Sequence, residues 1–386
     1  MKNVCRTICA GLLAVLLAFG AAGCAFSREE APDFSGEAQE LADGSPFKHY
    51  FRGLDNTEKH AYNAILSGVR SYPQRIAVPT LTNEQLSRTY TALLYDNPEL
   101  FFLSRSSAVR QNKGWAYFLP KYEMGRDDYE AMLKKCADVA DRIVEEASQK
   151  ATAFEKELLI HDKLIAMCRY SENESLSFRD TVYGVLCGGS ASCEGYAKTA
   201  KYLLDRLRIP CYVVIGQSTP PGSSTQTHMW NIVELNDRYY HLDLTWDDPV
   251  LESGQNLIRH TYFNVSDSAI ARTHAGYSGT DACASIDDNY FVYKHLLFAD
   301  WDDAERERSV EIAAQSIQAG SEGFQLRFSN ETAFDKAMED LFGQSKNGVN
   351  GILQQVREKV GKSFAIDHTS YVQDKENYII DVILEK

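Results

Sequence analysis

An α+β fold follows from three features of this 386-residue sequence. The first is a helical stretch over 194–207. Tyr196, Ala197, Ala200, Leu203, Leu204 and Leu207 recur there at helical spacing, and Pro210 stops the run. The second is the segment 211–216, Cys-Tyr-Val-Val-Ile-Gly, whose β-branched and aromatic content reads as a buried strand. The third is a pair of strand-like runs, 228–235 and 239–246, joined at Asn236-Asp237 as a hairpin. The expected arrangement is a helix packed on an antiparallel sheet. Gly188, Gly189 and Ser190 suit a tight turn before the helix. The stretch 218–227, with Pro220, Pro221 and Gly222, is an irregular loop.

Chemistry concentrates on these same elements. Cys193 stands at the start of the helix, where unpaired N–H groups and the positive end of the helix dipole favour a thiolate. His228 opens one hairpin strand and Asp243 lies on the return strand, 239–246. Adjacent antiparallel strands can set the two side by side. A carboxylate beside a histidine fixes its tautomer and stabilises its charged form. A lone buried cysteine would read as a small hydrophobe. A nucleophile, a base and an orienting carboxylate on three neighbouring elements fit a roles-and-geometry template instead.

The same residues carry a family resemblance. Cys193-Glu194-Gly195-Tyr196-Ala197, His228-Met229-Trp230-Asn231 and Tyr239-Tyr240-His241-Leu242-Asp243-Leu244-Thr245-Trp246-Asp247-Asp248-Pro249 occur in order. Together they resemble the transglutaminase-like superfamily in its bacterial extracytoplasmic branch. Ile160-His161-Asp162-Lys163-Leu164, Thr181-Val182-Tyr183-Gly184 and Tyr262-Phe263-Asn264-Val265-Ser266 are similar to it as well. The resemblance implies a papain-like α+β core, with the nucleophile on a helix and the histidine and aspartate on a sheet. It carries Cys193, His228 and Asp243 over as a catalytic triad. Cys187, six residues before the nucleophile, departs from the pattern and reads as an inert thiol or a redox partner.

The N-terminus reads as an export signal. Lys2 and Arg6 precede an apolar run over 8–19, and Ala21-Ala22-Gly23 is a small-residue triplet. Ala-Ala-Gly-Cys24 resembles a bacterial lipoprotein motif, which implies cleavage before Cys24 and lipidation of its thiol. Ordinary signal cleavage, or a retained anchor helix, is the alternative. The expected divisions are a lipoprotein signal over 1–23 and a flexible polar tether over 24–46. An α+β module follows over 47–122. The transglutaminase-like catalytic domain with its leading helices takes 123–305, and a C-terminal α+β module takes 306–386. No later run approaches the ~20 apolar residues of a membrane span.

Within the first module, 57–66 and 83–95 read as helices, the second opened by a Thr82/Gln85 capping box and stopped by Asp96-Asn97-Pro98. Residues 100–103 and 115–119 read as strands, and His49 and His60 as surface residues. An amphipathic helix is expected over 129–147, and Thr152 with Glu155 opens the next. His161 and Asp162 lie on that helix, where a histidine satisfied by a structural partner is the preferred reading. In the C-terminal module, strands are expected over 324–328, 364–371 and 378–384, and helices from Ser329 or Asn330 to 342 and over 349–360.

Composition limits the partners. A formal net charge of −14 argues against a nucleic-acid partner. The acidic residues Asp287, Asp288, Asp300, Asp302 and Asp303 lack the spacing of a calcium loop, and His260 and His274 sit too far apart to suggest a metal pair. No metal or cofactor is expected. Of nine cysteines, Cys5 and Cys9 leave with the signal, and the six beyond Cys24 include the nucleophile, so no disulfide framework is implied. The expected activity is acyl transfer through a thioester on a glutamine or peptide carbonyl of a protein or peptide substrate, such as a cell-wall peptide. Tyr196, Trp230 and Trp246 are candidate substrate-binding residues that could exclude water, with core packing as their other reading. A cysteine peptidase or amidase using water, and a non-catalytic surface binding module, are the alternatives. The expected location is the extracytoplasmic face of a membrane, held there by the lipid.

Overall fold

The structure is a computed structural model that describes residues 15–17, 32–34, 47–171, 173, 178–220, 223–249, 257–318, 321–343, 348–361 and 368–385. Cys24, and nearly all of the expected signal and tether, lie outside the described residues. Among the described residues, no helix is long and apolar enough to cross a membrane. The protein is a mixed helix-and-sheet α+β structure with two compact units, Met1–Ile160 with Ser171–Asn231 and His161–Tyr170 with Ile232–Lys386.

In the first unit, local sequence decides where helices begin. Asp55 caps Asn56–Val69 and Thr82 caps Asn83–Asp96, each with a reciprocal capping box. Ala116–Leu119 pairs antiparallel with Ile76–Val78 and with Ser107–Gln111. Residues 15–17 run parallel beside the last of these. The expected strand over 100–103 is a turn instead, closed by Leu100 N–H to Asn97 O and Leu103 N–H to Leu100 O, both 3.0 Å. A short apolar run does not distinguish a strand from a buried turn, and here all four residues are buried. His49 and His60 are half-buried rather than on the surface, and His49 stacks on Tyr212 at 3.6 Å.

Arg126–Ser148 is the expected long amphipathic helix, burying Cys136, Ala140, Ile143 and Ala147. Thr152 Oγ1 accepts from Glu155 N–H at 3.1 Å, as anticipated, at the start of Ala153–Met167. Helices Val182–Gly188 and Cys193–Arg206 follow, and the second lies against strand Cys211–Ser218. One buried cation locks this packing. Lys201 Nζ donates to Phe47 O at 2.7 Å and Cys211 O at 2.9 Å, and pairs with Asp205 at 2.8 Å.

In the second unit, the end of strand Gln226–Leu235 turns into Arg238–Leu242. Asn236 and Asp237 have φ of 52° and 60°, the left-handed pair a tight type I′ hairpin requires. The return strand is shorter than the sequence suggested. It ends at Leu242, and Asp243 becomes the N-cap of a short helix, Leu244–Asp247. A C-terminal sheet runs in the order Leu297–Phe298, Gly323–Phe328, Ile379–Glu385, His368–Asp374. Asp303–Gln318, Glu331–Phe342 and Gly348–Val360 bury their apolar residues in the core shared with this sheet. Asn330, one of the two expected caps, opens Glu331–Phe342. Polar contacts tie the sheet to the segment before it. Gln325 Oε1 accepts from His260 N–H at 2.9 Å, and Asp381 pairs with Arg259 at 2.7 Å.

Replacing Lys201 with Ala should leave two buried carbonyls and a buried carboxylate without their cation. The expected loss is about 3 kcal/mol, read as a lowered urea midpoint. An unchanged midpoint would show that the ammonium does not hold this packing together.

Candidate active site

The turn into helix Cys193–Arg206 is built from residues with little freedom. Gly189 ends Val182–Gly188 at φ 67°, a left-handed conformation that favours glycine. Ser192 then caps Cys193–Arg206, its Oγ accepting from Gly195 N–H at 3.3 Å. A Cβ on Gly195 would stand 2.1 Å from Arg179 O, the same carbonyl that accepts from Ser192 N–H at 3.0 Å. Glycine in Cys-Glu-Gly-Tyr-Ala thus lets the Arg179 backbone lie against the first turn of the helix.

Cys193 is the first residue of that helix and is half-buried. Cys136, Cys168, Cys211 and Cys283 are buried, and Cys187 is exposed. Burial pushes the Cys136, Cys187, Cys211 and Cys283 thiols up from their ordinary range. Cys187 and Cys193 form no disulfide, each being a free cysteine. Next to Cys193, the buried Glu194 carboxylate pairs with Lys198 at 2.7 Å and with Arg105.

His228 lies on strand Gln226–Leu235, almost wholly buried, with its ring stacked on Trp230 at 5.9 Å. Asn231 connects this strand to helix Cys193–Arg206. Its Nδ2 donates to Ala197 O at 2.9 Å and to Tyr212 O at 3.4 Å. Asn231 is three residues past His228 and Ala197 four past Cys193, so one buried amide fixes the His228 strand to the first turns of the Cys193 helix. The His-x-Trp-Asn motif was visible in the sequence, but the task of its asparagine was not.

In the second unit, Asp243 is buried with both carboxylate oxygens engaged. Oδ1 accepts from Thr245 N–H at 2.9 Å and Trp246 N–H at 3.2 Å, and Oδ2 lies 3.0 Å from His274 Nε2. His274 Nδ1 is 2.8 Å from Thr273 Oγ1. An ionised carboxylate only accepts, so the proton on this side of His274 sits on Nε2. This partner was not legible in the sequence, because His274 lies 31 residues away in a loop-like stretch.

The three aromatic candidates differ in environment. Tyr196 and Trp230 are each 1% exposed and are core residues. Trp246 is half-buried, edge-on to Tyr262 at 5.0 Å and tilted over His274 at 4.7 Å, so it covers the Asp243–His274 pair.

Asp247 and Asp248 of the same motif are structural. Asp247 accepts from Tyr262 N–H at 3.0 Å and lies 3.2 Å from His161 Nε2. Asp248 accepts from Tyr170 N–H at 3.0 Å. His161 Nδ1 is 2.9 Å from Asp162, and Asp162 also reaches His260 Nε2 at 2.8 Å. The satisfied structural histidine expected at 161 is thus an imidazolium between two carboxylates. Burial alone would lower its pKa, but hydrogen bonds and charge from Asp162 and Asp247 raise it to about 9.

Residues 137–244 match the family model described as the transglutaminase-like superfamily, and over that span the chain is transglutaminase-like. Similar solved structures include a TGase, at 17% identity and TM-score 0.26, covering 52% of this chain and 56% of that one. A candidate cysteine protease from Cytophaga hutchinsonii aligns at 13% identity and TM-score 0.25, covering 35% of this chain and 59% of the other. A candidate protease from Parabacteroides distasonis ATCC 8503 aligns at 10% identity and TM-score 0.19, covering 41% and 40%. The chain thus spans less than two thirds of each. No curated protein matches it.

The His161 bridge predicts a pH dependence of stability. A raised folded-state pKa contributes stability that is complete below about 6.5, the value of a free imidazole, and is lost as pH rises through about 9. Denaturant midpoints measured from pH 6 to 10 should fall across this window, and His161→Gln should flatten the fall. A wild-type profile with no such decline would rule out the buried imidazolium.

Proposed function

We propose that this protein is a cysteine acyltransferase that works through a thioester, with Cys193 as nucleophile, His228 as base and Asp243 as the carboxylate that orients His228. The observation that carries the reading is the Asn231 tie, which fastens the His228 strand to the helix headed by an accessible Cys193. In the proposed reaction, His228 removes the Cys193 proton and Sγ attacks the carbonyl carbon of a glutamine or peptide amide. The Cys193 N–H, free to face outward at the first turn of a helix, is the natural donor to the oxyanion. The proton passes from His228 to the leaving nitrogen, which departs as ammonia or an amine and leaves a thioester. An incoming primary amine then gives up a proton to His228 and takes the acyl group, restoring the thiol.

The proposed setting is extracytoplasmic, with the protein exported and anchored by lipid on Cys24 and a surface protein or cell-wall peptide as its substrate. Cys24→Ala should move the protein from the membrane fraction to the soluble fraction. Continued membrane retention of that variant would sink the lipid-anchor reading.

The reaction is tested with a glutamine peptide and a labelled primary amine. Transfer yields the amide of that amine, whereas a peptidase or amidase yields the free acid and leaves the amine unused. Cys193→Ala should abolish turnover, and His228→Ala should lower kcat by at least about 10³-fold. If Cys193→Ala alters neither turnover nor thiol labelling, a non-catalytic binding module replaces the enzyme. In labelling of the folded wild type, Cys193 and Cys187 should react and the four buried thiols should not.

A further inference from the structure

Outside the proposed triad, donors of three different chemistries converge in the second unit. His241, Asp267 and Cys283 each offer one ligand-capable atom, and these atoms all lie within 4.8 Å of one another. We propose that His241, Asp267 and Cys283 bind a zinc ion, with water as the fourth ligand.

The donor set is one imidazole nitrogen, one carboxylate oxygen and one sulfur, which suits zinc and disfavours calcium or magnesium. The backbone fixes the donors in advance. His241 and Val265 exchange both main-chain hydrogen bonds at 2.9 Å, which sets His241 beside the start of the Asp267–Ile270 helix. Asp267 N–H donates to Cys283 O at 2.8 Å, and Cys283 N–H donates to Asp267 Oδ2 at 2.8 Å. Main-chain bonds therefore hold all three residues together. Oδ2 is the oxygen oriented by Cys283, and Oδ1 is directed at His241 Nε2, 2.9 Å away.

Burial and access also fit. His241 and Cys283 are wholly buried, while the Asp267 side chain is 46% exposed and opens the cluster to solvent on one side. The Cys283 thiol has a long contact, 3.6 Å to Asp281 O, which is weak compensation for a buried sulfur beside an imidazole and a carboxylate. On binding, the His241 proton would shift to Nδ1 and the thiol proton would leave to solvent, so one proton is released per zinc.

A second histidine–aspartate cluster, His161–Asp162–His260, does not qualify. Carboxylates take both nitrogens of His161, and its raised pKa keeps the ring protonated with no lone pair to offer.

The test uses cobalt(II) as a spectroscopic stand-in for zinc on the full chain. A Cys193→Ala, Cys187→Ser background removes the two accessible thiols. A near-ultraviolet thiolate-to-cobalt band should rise and saturate at one equivalent, and zinc should displace it. Adding Cys283→Ser should eliminate the band, with circular dichroism confirming that the variant is folded. If that variant does not fold, Asp267→Asn, altered at a half-exposed side chain, should weaken cobalt binding by at least about tenfold. Absence of the band in the background protein, its survival in folded Cys283→Ser, or undiminished affinity in Asp267→Asn would overturn the proposal. These readouts do not depend on turnover, so they stand or fall apart from the acyltransfer reading.

Discussion

Much of the second unit depends on two aspartates placed one helical turn apart, Asp243 and Asp247. Asp247 N–H donates to Asp243 O at 3.2 Å, so the short helix between them closes on itself. Each carboxylate then turns to a different task. Asp243 caps the N–H groups of Thr245 and Trp246 and holds His274. Asp247 caps Tyr262 and meets His161. Burying two acidic groups this close would be unfavourable if either lacked partners. The arrangement persists because every charge is met by a histidine or by a row of peptide N–H groups. Loss of the Asp247–His161 contact would leave a buried carboxylate beside the one proposed for catalysis.

The first unit solves a related problem with neutral groups. A nucleophile at a helix start needs a turn that ends in open N–H groups without collapsing onto them. Gly189 supplies the left-handed turn, Ser192 the cap, and Gly195 the space for the Arg179 carbonyl. Asn231 then relates the helix to its neighbouring strand through main-chain acceptors, which do not titrate. The Asn231 and Ser192 contacts near Cys193 are therefore made by groups that do not titrate, beside the ion pairs of Glu194 and Lys201.

What could be read from the sequence follows the range of each interaction. Helix starts governed by residues three apart, such as Thr82/Gln85 and Thr152/Glu155, were readable, and so was the Asn236-Asp237 hairpin. Half of the strand expected over 364–371 lies outside the described residues, and the observed strand is His368–Asp374. The long amphipathic helix and the strands expected over 324–328 and 378–384 carried their periodicity openly. The apolar run 100–103 did not, because burial without alternation fits a turn as well as a strand. Ile76–Val78 and Ser107–Gln111 were missed for the converse reason, being short and mixed in polarity. The end of the return strand was misread because a capping aspartate looks the same in sequence as one on a strand. Cys193, His228 and Asp243 stood out as chemistry in motifs. Asn231, His274 and the Asp267–Cys283 loop act across separations that no local pattern encodes.

The Asp243–His274 pair also bears on how a triad could operate. An ionised carboxylate offers about four acceptor positions. Three are used by Thr245 N–H, Trp246 N–H and His274 Nε2. Trp246 packs over the Asp243–His274 pair, its ring tilted at 4.7 Å from that of His274. In the proposed mechanism, His274 is a positioning residue that holds the Asp243 carboxylate. Neutralising Asp243 and removing His274 are then different perturbations. The first removes the charge that stabilises the His228 imidazolium, while the second leaves the charge and loosens its aim.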